Sequence, residues 1–276
     1  MGNERHSAFR SAVAAAGEID LARAALAVAQ DEYPALRPEV YLAKLDECAA
    51  RARGFAGGES DPYRLIASIN YVLFNQEGFR GNQGDYYDPR NSFLNDVIER
   101  KKGIPITLSV LYLEVAERVG LKLRGVGFPG HFLVKYEASD EEIVIDPFDK
   151  GEVRTFEDLQ TLLDGLYAGK VALRPEFLAP VTHRQIIHRM LNNLKGIYLS
   201  EENLLKALSA AERLVILEPS SAPEIRDRGM LYLKLECFQQ AIGDLETYLR
   251  LAPDASDIDD VRERVVELKK GAVRLH

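Results

Sequence analysis

"PGHFLVKYEASDEEIVIDPF" (residues 129–148) decides how the rest of the chain is read. Two segments, "HFLVKY" and "EIVID", alternate apolar and polar residues around a short polar turn, which is the pattern of a β-hairpin. His131 opens the first arm and Asp146 closes the second. If the loop is Ser139-Asp140, Leu133 faces Asp146 and His131 lies one diagonal step away. A loop centred one residue earlier sets His131 directly opposite Asp146. In both registers the two side chains share a face, within ~5–8 Å at Cβ. A carboxylate there would fix the imidazole tautomer and raise its basicity, which is the base-and-orienter part of nucleophilic catalysis. A purely structural His–Asp pair is the plainer alternative.

Working outward, "IPITLSVLYLEVAERVG" (104–120) predicts a helix with Pro105 in its first turn, Gly120 as its stop, and a stripe of Leu108, Leu111, Tyr112, Val115 and Val119. "NSFLNDVIERKKG" (91–103) predicts a shorter helix, capped by Asn91 or Ser92 and stopped by Gly103. "GFRGNQGDYYDPRN" (78–91) is a loop, anchored by Phe79, Tyr86 and Tyr87 or opened by its glycines to a ligand. Residues 7–77 read as helices. One is capped by Asp20, a second carries Val40, Leu45 and Ala49, and a third begins at Asp61-Pro62 and ends at Gly78. "LKLRGVGF" adds a strand before the hairpin. Behind the hairpin, Thr155 with Asp158 forms a capping-box pattern for a helix through Leu166, and Pro175 and Pro180 bracket a linker.

From about residue 183 the chain is helical and repeats. Tyr198 and Tyr232, Ala207 and Ala241, and Pro219 and Pro253 are each separated by 34 residues, the tetratricopeptide period. Gly229 and Ala241 supply small residues where two helices cross, whereas the first repeat has Lys195 in place of the glycine, with Gly196 beside it. Repeats of about 188–221 and 222–255 and a capping helix of about 257–270 follow. Two repeats are few for a free-standing solenoid, so the array is expected to pack on the rest of the chain.

The composition narrows the function classes. The chain has 276 residues, 46% of them hydrophobic, so a sizeable core can be buried. The net charge of −8 and the absence of a basic run longer than Arg100-Lys101-Lys102 argue against nucleic acid. No apolar run approaches the ~20 residues of a membrane span, and "MGNERHSAFRSAVAAAG" lacks both a signal-peptide core and the myristoylation spacing after Gly2. Two cysteines, Cys48 and Cys237, do not make a disulfide scaffold. The expectation is a protein of the reducing cytoplasm.

A helix ending "AERVGL", then a strand, a histidine and "DP", resembles the transglutaminase-like superfamily of papain-type folds. The resemblance implies a nucleophilic cysteine in a G-x-C pattern at the helix start, with His131 and Asp146 as its partners. The matching slot is Gly103-Ile104-Pro105, so Pro105 stands where the cysteine would be. Proline offers no thiolate for the helix dipole to stabilise. Ser109, one turn deeper on the same helix face, is a substitute nucleophile that reads more naturally as packing. Thr107 points elsewhere. Cys48 lies inside an alanine-rich helix and Cys237 in the loop of a repeat, neither at a predicted helix N-terminus.

Further stretches, "DPRNSFLNDVIERKKGIPITLSVLYLEVAERVGL", "GVGFPGHFLVKY", "IDPFDKGE" and "EIRDRGMLYLKL", are similar to the bacterial SirB-type family, from about residue 20 to the last helix. That resemblance implies an α+β fold: a papain-like, transglutaminase-like core of helices on a small antiparallel sheet (1–180), then an all-α tetratricopeptide array (181–276). It marks Asn91, Ser92 and Gly130 as binding residues. Two functions are expected. One is a degenerate module that binds a protein or peptide through its groove and repeats. The other is a hydrolase or acyl/amide transferase in which His131 and Asp146 act with a water or Ser109. No cofactor is expected, and a metal held by His131, Asp146 and Asp149 has only a weak spacing behind it. The oligomeric state is left open.

Overall fold

The computed structural model describes residues 6–14, 17–138 and 141–273. Residues 1–5 and 15–16 of the segment read for targeting signals and the hairpin loop Ser139-Asp140 lie outside the described residues. Two compact units divide the chain, Met1–Met190 and Leu191–His276.

The first unit is α+β. Its helices are α1 (Ser7–Val13), α2 (Leu21–Ala29), α3 (Pro38–Ala56), α4 (Pro62–Asn70), α5 (Leu94–Arg100), α6 (Pro105–Val119) and α7 (Phe156–Tyr167). Asp20 and Asp61 cap α2 and α4 as expected, each accepting a backbone N–H three residues on, at 2.9 Å. The helix from Pro62 does not run unbroken to Gly78. It loosens into a π-helix over Tyr71–Gln76, whose Val72 and Leu73 are still fully buried. Helix α6 is buried on nearly every side, packed by α2, α3, α4, α5 and the sheet, which is why it is apolar almost all round.

The stretch before α6 departs from expectation. Pro89–Ser92 forms a 3-10 turn capped by Asp88, and α5 starts only at Leu94 behind Phe93, so neither Asn91 nor Ser92 caps it. α5 ends on Lys101 in the left-handed region (φ 58°), not on Gly103. Gly103 instead belongs to β2 (Lys102–Gly103), paired in parallel with β1 (Arg80–Gly81). Two-residue strands carry no periodicity, so they were not legible.

The main sheet is antiparallel with the order β6 (Glu152–Arg154), β5 (Glu141–Asp146), β4 (Leu133–Ala138), β3 (Arg124–Val126), β7 (Pro180–Val181). Val134 pairs with Ile145 and Ala138 with Glu141, the register of a two-residue loop. Leu133 and Val144 face α7, packing with its Leu159 and Leu163. Val134, Ile143 and Ile145, pointing the other way, are also buried, and α6 packs on β3 and β4. The expected linker between Pro175 and Pro180 ends in the sheet, because β7 pairs with β3, and the two units divide inside α8 (His183–Ser200).

The second unit continues with α9 (Leu204–Leu217), α10 (Ala222–Lys234), α11 (Phe238–Leu251) and α12 (Ile258–Val273). The 34-residue period is written in its backbone. Glu202 and Glu236, one period apart, both adopt left-handed φ (56° and 58°). The next residues donate to Tyr198 and Tyr232, at 2.8 and 2.9 Å. Ala207 and Ala241 are fully buried, and a Cβ on Gly229 would sit 3.0–3.1 Å from Asp244 and Leu245. At the equivalent position Lys195 reaches Glu224 (3.0 Å) and Asp227 (2.7 Å) on α10. Among the described residues, no helix is long and apolar enough to cross a membrane.

Candidate functional site

His131 is presented by a turn that its sequence dictates. Phe128-Pro129-Gly130-His131 closes with the His131 N–H donating to the Phe128 carbonyl at 3.0 Å. Proline at the second position sets φ, and Gly130 takes the left-handed value (68°) that the third position of a type II turn requires. The turn aims the imidazole at the face of the sheet that carries Asp146. Nε2 of His131 lies 3.0 Å from Oδ1 of Asp146.

Asp146 is 2% exposed and surrounded by donors. Besides the imidazole, it accepts the backbone N–H groups of Phe148 (3.1 Å) and Asp149 (3.3 Å) and Nη2 of Arg154 (3.2 Å). Burial by itself would raise its pKa. The hydrogen bond and charge of His131, with Arg154 behind them, outweigh burial and hold it below the ordinary aspartate value. An ionised carboxylate only accepts, so Nε2 of His131 donates to it, and in the neutral ring Nδ1 is left as the acceptor. Among the described residues, Asp146 is the only hydrogen-bond partner of the imidazole.

Aromatic rings frame the pair. Phe148 stands edge-on to His131 (centroids 5.9 Å) and to Tyr86 (6.3 Å), and Tyr86 meets Tyr87 at 5.4 Å. Phe148 fits because residue 81 is glycine, where a Cβ would lie 2.6 Å from its ring. Tyr86 and Tyr87 are 38% and 73% exposed, so this rim is open to solvent.

Asn91 and Ser92 are fully buried and do not present their side chains at this rim. The Asn91 amide donates to the carbonyls of Asp85 (2.7 Å) and Tyr86 (3.2 Å) and accepts from Asn82 (3.0 Å). Its main-chain carbonyl accepts the Thr107 hydroxyl at 2.7 Å. Asn91 therefore ties the tyrosine loop to the start of α6. The Ser92 hydroxyl has no hydrogen-bond partner among the described residues.

Pro105 occupies the first position of α6 and is buried. Ser109 is sealed from solvent, and its hydroxyl lies 3.4 Å from the Phe132 carbonyl. Cys48 is buried within α3, and burial pushes its thiol up in pKa. Cys237 corrects the sequence expectation. It is the N-cap residue of α11, because the connection from α10 is short enough for the residue that ends the loop also to begin the helix. Among the described residues, no group of three or more His, Cys, Asp or Glu side chains is placed to hold a metal ion. Asp149 is engaged by Arg154.

Two members of the site escaped the sequence reading. Arg154 sits on a three-residue strand, too short to show alternation. Arg189, 58 residues after His131, donates through Nη2 to the His131 carbonyl (2.7 Å), with Nη1 3.5 Å from the Phe128 carbonyl. Its guanidinium lies 5.4 Å from the Phe132 ring centroid. Nothing local to either segment forecasts that meeting.

Residues 39–192 match the family model described as transglutaminase-like superfamily, and residues 194–266 match a tetratricopeptide repeat model. A UPF0162 protein of Xylella fastidiosa is 36% identical over 261 residues, covering 94% of this chain and 93% of the relative. One from Vibrio cholerae is 36% identical over 207 residues, 74% of this chain and 76% of its own. The UPF0162 protein YchA of Escherichia coli is 28% identical, covering 77% and 78%. No solved structure matches the chain.

Proposed function

The chain belongs to the transglutaminase-like superfamily, among proteins that carry tetratricopeptide repeats behind that domain, and from this premise we propose that it is a degenerate member that binds a peptide segment of a partner protein. The groove beside His131 is the peptide site in this reading, and the repeats, a class of module that offers protein-binding surfaces, add a second contact. The observation that carries it is the unused nitrogen of His131. Its Nε2 is committed to Asp146, yet no hydroxyl or thiol of the described residues is hydrogen-bonded to the ring. Pro105 at the start of α6 has no nucleophile, and Ser109 is buried against a carbonyl. The exposed rings of Tyr86 and Tyr87 give the groove the amphipathic rim that peptide recognition uses. Two free cysteines suit a reducing cytoplasm.

The intact His131–Asp146–Arg154 arrangement favours one competing reading. His131 would then activate a water or a substrate's own nucleophile, and the protein would be a hydrolase or transferase.

A peptide array probed with the full chain, run beside an assay for amide and ester turnover, separates the two. The expected result is binding that falls on Tyr86→Ala and on Phe148→Ala, with no turnover. Turnover that disappears in His131→Ala overturns the binding reading and establishes the other.

A further inference from the structure

Three groups around His131 keep donor capacity that the protein itself does not use: the remaining N–H groups of Arg189 and the hydroxyls of Tyr86 and Tyr167. Arg189 is a cation set into the wall of the first unit, and among the described residues no carboxylate lies within ion-pair distance of it. Its protein partners are two neutral carbonyls and the face of Phe132. Neither removes its charge. The hydroxyls of Tyr86 and Tyr167 lie within electrostatic reach of the guanidinium, and neither has a hydrogen-bond partner among the described residues.

The backbone around these groups is kept bare. A Cβ on Gly127 would lie 3.7 Å from Nη1 of Arg189, and one on Gly130 would lie 3.7 Å from the Tyr167 hydroxyl. Larger residues would bring side chains up to both donors. Arg154, Lys195 and Arg228 are also buried or half-buried, but each is neutralised, by Asp146, Glu224 and Asp244 respectively. Arg189 is not, and it holds the turn that presents the imidazole.

We propose that Arg189, with the hydroxyls of Tyr86 and Tyr167, receives a carboxylate of the bound peptide beside His131. This assignment rests on the peptide-groove reading and names the group that the groove selects. Burial lowers the Arg189 pKa, as expected for a charge that waits for its counter-ion, and burial raises the Tyr86 pKa, which keeps that phenol a donor. A monoanion matches the single cation. A phosphate dianion would leave excess negative charge in a half-buried wall of a chain that already carries −8. Charge-assisted hydrogen bonds to a guanidinium are the strong kind, and two phenols add direction.

The test is a titration of the isotope-labelled full chain with N-acetylglycine, N-acetylglycinamide and inorganic phosphate, following the backbone amide signals of Gly130 and His131. N-acetylglycine is expected to shift them saturably, the amide to leave them unmoved, and phosphate to bind more weakly. Arg189→Gln is expected to weaken N-acetylglycine roughly tenfold or more, the size of one lost charged hydrogen bond. That variant also releases the turn, so Tyr86→Phe combined with Tyr167→Phe is measured beside it. The double variant keeps the guanidinium and the turn, and is expected to lose several-fold in affinity. An equal response to acid and amide, no response to either, tighter phosphate, or undiminished binding in the double variant each overturns the assignment. A longer peptide that binds equally with a free or amidated C-terminus removes the carboxylate site and leaves the groove standing. N-acetylglycine binding in a chain that binds no longer peptide removes the groove and leaves the carboxylate site.

Discussion

At Asp146 four donors converge on one carboxylate: the imidazole of His131, the N–H groups of Phe148 and Asp149, and the guanidinium of Arg154. Burial pulls its pKa up, and the imidazole and the guanidinium outweigh that and lower it. A carboxyl with a depressed folded-state value stabilises the fold above its unfolded value, and that stabilisation is lost as pH falls through the folded value. Asp146→Asn keeps the shape and loses the charge. It is expected to destabilise the protein by about 1–3 kcal/mol at neutral pH, measured by urea unfolding. The gap between variant and wild type is expected to narrow once the pH drops below about 4. A gap that stays constant well below about pH 4 means that the carboxylate charge contributes nothing. The same residue sets the direction of the imidazole, because it takes Nε2 and leaves Nδ1 for whatever occupies the groove.

Between elements, the first repeat shows how a departure from a pattern is compensated. Gly229 lets α10 and α11 approach, but one period earlier Lys195 projects a long side chain where the pattern has none. Lys195 and Glu224 are 8% and 6% exposed, and they neutralise each other across α8 and α10, with Asp227 as a more exposed second anion. Removing one partner of a buried pair strands the other charge. Lys195→Ala is expected to cost about 3 kcal/mol or more in urea unfolding, and Lys195→Met with Glu224→Leu to recover most of it. If the single variant is as stable as wild type, the pair is not a packing element. The sheet offers a parallel case: α6 and α7 cover its two faces, so strands that look apolar throughout still hold one register.

For the whole molecule, charge is the property that acts at long range. A chain of net charge −8 repels a polyanion, and several of its cations are committed to carboxylates of the same chain. The full chain is therefore expected not to retard an oligonucleotide duplex at physiological ionic strength in a gel-shift assay. Retardation there would point to a basic surface that the ion pairs do not reveal. A peptide carrying a carboxylate meets the same overall repulsion, which is why one recessed, uncompensated guanidinium matters at the groove.

Local pattern was enough for much of this protein. Alternation specified the hairpin and the shared face of His131 and Asp146 but left two registers open, of which the fold takes the one that pairs Val134 with Ile145. A 34-residue spacing specified the helical repeats, and cap residues such as Asp20, Asp61 and Thr155 specified where helices begin. These features depend on neighbours a few residues away or on a strict period, so composition and spacing carry them. What the tertiary structure alone decided are the meetings across long sequence separations. Arg154 arrives on a strand of three residues, Asn91 turns inward to hold the tyrosine loop, Gly81 gives way to Phe148, and Arg189 closes on the His131 turn from 58 residues away. A single side chain that reaches across the fold has no period and no local partner to announce it, because only the packing of helices and sheet fixes what it can touch.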